Sequence, residues 1–148
     1  MSLTEDQQWL NVRLRRNHFC RWMDLRVTRA DDGEIDVYAP WRDEFISNPD
    51  LRFTHGGILA SLIDTAASFA IATRLGRPPQ TIDMRVDYHS TARSGDLLAR
   101  GKILRLGRTI GTAEAAIYDT ASTIVASGRA TFLVVESKTQ SNRAASAE

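Results

Sequence analysis

At 148 residues and 16.5 kDa, with 43% hydrophobic and 25% charged residues, the chain has the size and balance of one folded domain with its own core. A formal net charge of +1 excludes a global pull toward nucleic acid or membrane, so neither is expected as a partner, and any anionic partner has to be met by a local patch. The single cysteine, Cys20, excludes an internal disulfide and a cysteine-built metal site, which fits the reducing cytoplasm.

Met1 to Leu14 carries no continuous apolar run, so neither a secretory signal nor a spanning segment is expected there. Residues 4–17 read instead as a short amphipathic helix: Thr4 caps, Glu5 and Asp6 favour the first turn, and Trp9, Leu10 and Leu14 share a side. From Trp22 to Thr28 the pattern alternates, turns at Ala30-Asp31-Asp32-Gly33, and alternates again from Glu34 to Tyr38, which predicts a β-hairpin. Pro40 closes it, and Trp41 to Phe53 form a loop with a turn signal at Asn48-Pro49-Asp50.

The most apolar stretch follows. Thr54-His55-Gly56-Gly57 opens a helix with apolar residues at 58, 59, 62, 63, 66, 67, 69, 70 and 71. A helix apolar around most of its girth belongs inside a core, yet this one carries an acid, Asp64, on a narrow stripe with Ser61, Thr65 and Ser68. Gly76 suits the left-handed position past its end, and Pro78-Pro79 forbid continuation. Strand-like segments then run from Thr81 to Thr91, Leu97 to Leu106, Thr112 to Tyr118 and Ser122 to Val135, read as an antiparallel meander. The first alternates through Ile82, Met84, Val86 and Tyr88. Residues 1–136 form the expected domain, and the polar tail at 137–148 reads as disordered.

Helix, two strands, a long buried helix and four strands make an α+β pattern: an antiparallel sheet of about six strands wrapped around one central helix. Its edge strands favour pairing with a second copy.

The His55-Gly56-Gly57 turn, the Asp nine positions after the His, the run Thr81-Ile82-Asp83-Met84-Arg85-Val86-Asp87-Tyr88, Gly107-Arg108-Thr109 and Ser127-Gly128-Arg129-Ala130-Thr131 together resemble the hot-dog-fold acyl-CoA thioesterases. The closest resemblance is to the phenylacetic-acid-degradation type within the 4-hydroxybenzoyl-CoA thioesterase superfamily. It implies a homodimer, or a dimer of dimers, that hydrolyses acyl-CoA without metal or cofactor, coenzyme A being part of the substrate. By position, Asp64 matches the catalytic acid, Gly57 the backbone N–H that holds the thioester carbonyl, and Thr81 the hydroxyl that assists water. His55 matches the histidine at the mouth of the helix, where a cap or loop-orienting role is expected rather than proton transfer. The family's loop asparagine stands six residues before the histidine; here that position is Pro49, with Asn48 one further back.

Residue chemistry adds a geometric argument. A glycine-led helix tip offers backbone N–H groups without intrahelical partners, in the positive end of the macrodipole. Asp64 lies seven residues beyond Gly57, roughly 10 Å along the axis. One helix cannot present both to a single carbonyl, whereas two antiparallel copies about a two-fold can, with Gly57 of one meeting Asp64 of the other. Asp64 then acts as general base on water or attacks to give a mixed anhydride; on spacing alone it reads as a solvated acid on a polar stripe. Arg93, Arg105, Gly107, Arg108 and Thr109 are the candidates for the phosphates of CoA, and Phe69 and Tyr88 for the acyl pocket, with core as their other reading. The single thiol, Cys20, reads as buried filler.

A hydratase on the same fold is disfavoured, because His18, His55 and His89 all lie outside the central helix. The alternative of a different class is a non-catalytic acyl-CoA binding or sensing protein, which would keep the pocket without needing the acid.

Overall fold

The computed structural model describes residues 4–135, so the tail expected at 137–148 lies outside the described residues. Thr4 caps α1 (Glu5–Arg16) in a reciprocal capping box with Gln7, and Leu10 and Leu14 are its buried face. A second short helix follows, α2 (His18–Trp22), because the Asn17 side chain accepts from the N–H groups of Phe19 and Cys20. The hairpin therefore starts later than the alternation from Trp22 suggests: β1 is Arg26–Asp31 and β2 is Glu34–Ala39. Met23, Leu25 and Val27 keep the apolar period through the junction, which is why helix end and strand start look alike in the sequence.

The central helix, α3, runs Gly56–Leu75 with His55 as N-cap and Gly76 as a left-handed C-cap at φ +74°. By length and composition it is apolar enough to cross a membrane, but here it is the core of a wrapped sheet, with Leu59, Leu62, Ile63, Ala66, Ala67 and Ile71 buried. Each large side chain so enclosed contributes about 1.5–3 kcal/mol of burial.

The remaining strands are β3 (Gln80–Tyr88), β4 (Leu97–Leu106), β5 (Ile110–Tyr118) and β6 (Ile124–Leu133). All six form one antiparallel sheet in the order β1-β2-β4-β5-β6-β3. Sheet around helix is the expected architecture; the meander is correct only for β4, β5 and β6. The side chains explain the difference. β4 turns Leu97, Ala99 and Gly101 inward and suits a central place over α3, whereas β3 is exposed along most of its length and suits an edge. Among the described residues β3 pairs with β6 alone, and it carries a bulge between Thr81 and Asp83, which breaks the expected alternation and leaves Ile82 facing out while Met84 and Val86 are half-buried.

Candidate active site

α3 is covered on most sides, but a stripe containing Gly57, Ala60, Ser61, Asp64 and Thr65 stays partly open. Three of the polar groups near this stripe are accounted for locally. Ser61 donates to the Gly57 carbonyl at 2.8 Å, Thr65 Oγ1 lies 3.9 Å from Cys20 Sγ, and Ser68 is buried. Asp64 is the helix's one acid, and it is met from outside the helix: the Thr81 hydroxyl donates to Asp64 Oδ1 at 2.7 Å across seventeen residues of sequence. The β3 bulge sits at this point of the strand, where such irregularities re-aim side chains.

At the helix tip the structure differs from the bare N–H the sequence suggests. His55 Nδ1 accepts from the Gly57 N–H at 2.8 Å, so that donor already has a partner. Tyr88 is 56% exposed rather than core, and its hydroxyl donates to the Gly56 carbonyl at 2.9 Å. A Cβ at Gly56 would stand 3.2 Å from the Tyr88 ring, so a larger residue there requires that ring to shift by a few tenths of an ångström. Phe69 is buried in the core, about thirteen residues along α3 from that tip, so the two acyl-pocket candidates do not meet within one chain. Tyr88 is among the acyl-pocket candidates, but its place over the first turn of α3 is what sequence reasoning missed, since no local pattern reports which edge β3 occupies.

Asn48 is half-buried and shapes its loop: its Oδ1 accepts from the N–H groups of Asp50 and Leu51 at 2.8 and 3.1 Å. Arg105, Gly107, Arg108 and Thr109 line one cavity of about 330 Å³ with Ile110 and Thr112, at the β4–β5 turn. Arg93 is not with them. It bridges to Phe53 beside the N-terminal end of α3, before β4 begins, while the turn follows the end of that ten-residue strand.

Cys20 packs against Thr65, next to Asp64 in the chain, and burial pushes its thiol up, with the Asp64 carboxylate adding to the effect. A thiol so held stays protonated and unreactive at neutral pH. Iodoacetamide is therefore expected to leave Cys20 unlabelled in the folded protein and to label it stoichiometrically in denaturant, as intact mass would report.

Comparison with known proteins agrees with this architecture. The sequence profile described as the thioesterase superfamily matches residues 51–126. A putative esterase of Halobacterium salinarum is 36% identical over 124 residues, covering 76% of this chain and 82% of that protein. The medium/long-chain acyl-CoA thioesterase YigI of Salmonella typhimurium is 30% identical over 132 residues, covering 78% and 84%. An X-ray structure of a thioesterase-superfamily protein superposes with a TM-score of 0.86 at 41% identity, covering 88% of this chain and 98% of that one. From these matches and the six-stranded wrap around α3, the chain belongs to the thioesterase superfamily, as a hot-dog-fold thioester hydrolase.

Proposed function

We propose that this chain hydrolyses acyl-CoA thioesters to the free acid and CoA, at two equivalent sites shared between antiparallel α3 helices of a homodimer. The observation that carries this reading is the Asp64–Thr81 pair, an acid on an otherwise apolar helix held by a hydroxyl from the sheet's edge strand. The thioester carbonyl displaces His55 from the Gly57 N–H, where the helix dipole and the donor stabilise the oxyanion. The partner's Asp64, with the Thr81 hydroxyl that bonds it in the same protomer, holds a water and removes its proton as it adds to the carbonyl carbon. Alternatively Asp64 adds directly and the anhydride is then hydrolysed. Either route expels the CoA thiolate, a good leaving group that needs no strong acid.

Antiparallel pairing also carries the Arg105–Thr109 turn, at the far end of α3, toward the partner's Gly57 end, where Arg93 lies; together these supply the cations for the CoA phosphates. The open edge of β3 and the half-covered stripe on α3 support the pairing. The acyl group is aryl or medium-chain, the second being in keeping with the name of the YigI relative. A single buried thiol suits work in the reducing cytoplasm.

Thiol release measured over a panel of acetyl, medium-chain, palmitoyl, phenylacetyl and hydroxybenzoyl thioesters of CoA tests the reading. Turnover is expected to peak at the medium-chain or aryl members. No release above buffer from any member would leave the acyl-CoA-binding alternative in its place.

A further inference from the structure

The elbow between α1 and α2 is used by none of the chemistry above. From Val12 to Trp22 the chain carries four arginines, Arg13, Arg15, Arg16 and Arg21, and no acid, against a whole-chain charge of only +1. Leu14 and Cys20 anchor the elbow to the core, but Val12, Phe19 and Trp22 are left 62%, 48% and 40% exposed. Phe19 and Trp22 stack with ring centroids 5.7 Å apart, and Trp22 is braced edge-on against the buried Phe45 at 5.9 Å. Arg42 joins from the following loop, its guanidinium 5.1 Å over the Trp22 ring and bonded to the Trp22 carbonyl. Arg15 and Arg42 have carboxylate partners in Asp24 and Glu44; Arg16 and Arg21 have none among the described residues.

We infer that this elbow docks the protein on a membrane surface bearing anionic lipid headgroups, replacing the expectation that no membrane is met. Braced aromatic side chains ringed by arginines match the chemistry of the headgroup region, where indole and phenyl rings enter the acyl boundary and guanidinium groups bind lipid phosphate. A second copy seated face to face on the same surface would oppose one arginine cluster with another, which charge disfavours. Cys20, on the inner side of α2, touches Thr65 beside Asp64, so docking holds the catalytic helix within one element of the bilayer. On the activity proposed above, that is where long acyl thioesters partition; the docking itself does not depend on that activity.

Co-sedimentation of the full chain with phosphatidylcholine vesicles, with and without phosphatidylserine, tests the inference. Binding is expected only with phosphatidylserine and should weaken as salt rises. Tryptophan fluorescence, to which Trp9 and Trp41 also contribute, is expected to shift to the blue and to be quenched by brominated lipid, and Trp22→Phe should remove most of that change. Combining Arg16→Glu with Arg21→Glu, both exposed, should lower the partition coefficient by more than tenfold, at about fivefold for each arginine lost. The circular dichroism spectrum and the turnover of a water-soluble thioester should stay unchanged. No binding to the anionic vesicles, equal binding to neutral ones, or undiminished binding of the double variant would overturn the inference. So would a change in oligomeric state of that variant by analytical ultracentrifugation, which would make the elbow a contact between copies.

Discussion

Asp64→Asn lowers kcat for acyl-CoA hydrolysis by about 10²- to 10⁴-fold, the range for removing a positioned base or nucleophile, while melting temperature stays close to that of the wild type. The substitution separates chemistry from structure because an amide oxygen still accepts from the Thr81 hydroxyl, now at 2.7 Å from the carboxylate. What disappears is the ability to take a proton from water or to add to the carbonyl. Since the side chain is partly open and, among the described residues, bonds only to that hydroxyl, little packing is lost. Thiol-release kinetics beside a thermal melt check both halves of the statement. A drop confined to KM would instead assign Asp64 to substrate binding.

The largest structural effect is expected at Gly101→Ala, where β4 covers α3. A Cβ there would stand 2.2 Å from the Ala66 carbonyl oxygen and 2.6 Å from its carbon, where β4 lies directly on the backbone of α3. The Cβ is fixed by its own backbone and meets main chain, so no side-chain rotation relieves the contact. The helix cannot withdraw, because Ala66 and Ala67 are fully enclosed. Overpacking of this kind costs about 3 kcal/mol or more, which for a domain of this size lowers the melting temperature by about 10 °C. Denaturant titration measures it directly. Gly76→Ala makes the control: nothing stands within 4 Å of its Cβ, leaving only the cost of φ +74°, about 1 kcal/mol.

Local chemistry made parts of this molecule legible in its sequence. Thr4 before Glu5 and Asp6, Gly76 before two prolines, and the unbroken apolar girth of α3 each fix a boundary through groups a few residues apart, and those boundaries stand. The place of β3 was not legible, because strand order depends on which edge a crossing chain reaches, and the bulge at Ile82 depends on pairing with β6. For the same reason Tyr88 reads as core by alternation yet lies over the helix tip. Gly101 looks like any strand glycine until α3 is laid against it.

The candidate site divides in the same way. Asp64 and the glycine pair stand out as an acid on an apolar helix and a turn before it, but the hydroxyl that meets Asp64 comes from a strand seventeen residues away. Only the resemblance to known thioesterases marked Thr81 in advance. The hold of His55 on Gly57 follows from a histidine at the cap position, so the donor expected to be bare is occupied. Arg93 and the Arg105–Thr109 turn looked like one basic set in the sequence, and the length of β4 separates them within a chain.

Mixing two inactive variants tests the shared site most directly. Asp64→Asn keeps the Gly57 N–H, and Gly57→Pro keeps the acid while deleting that N–H in the first helical turn, where no intrahelical bond is lost. If the two groups act across the two-fold, each mixed dimer contains one intact site and one site lacking both. Random reassociation of equal amounts should then recover about one quarter of wild-type turnover. Recovery at that level is the predicted result; a mixture no more active than the sum of its two parents would contradict a site built from both protomers.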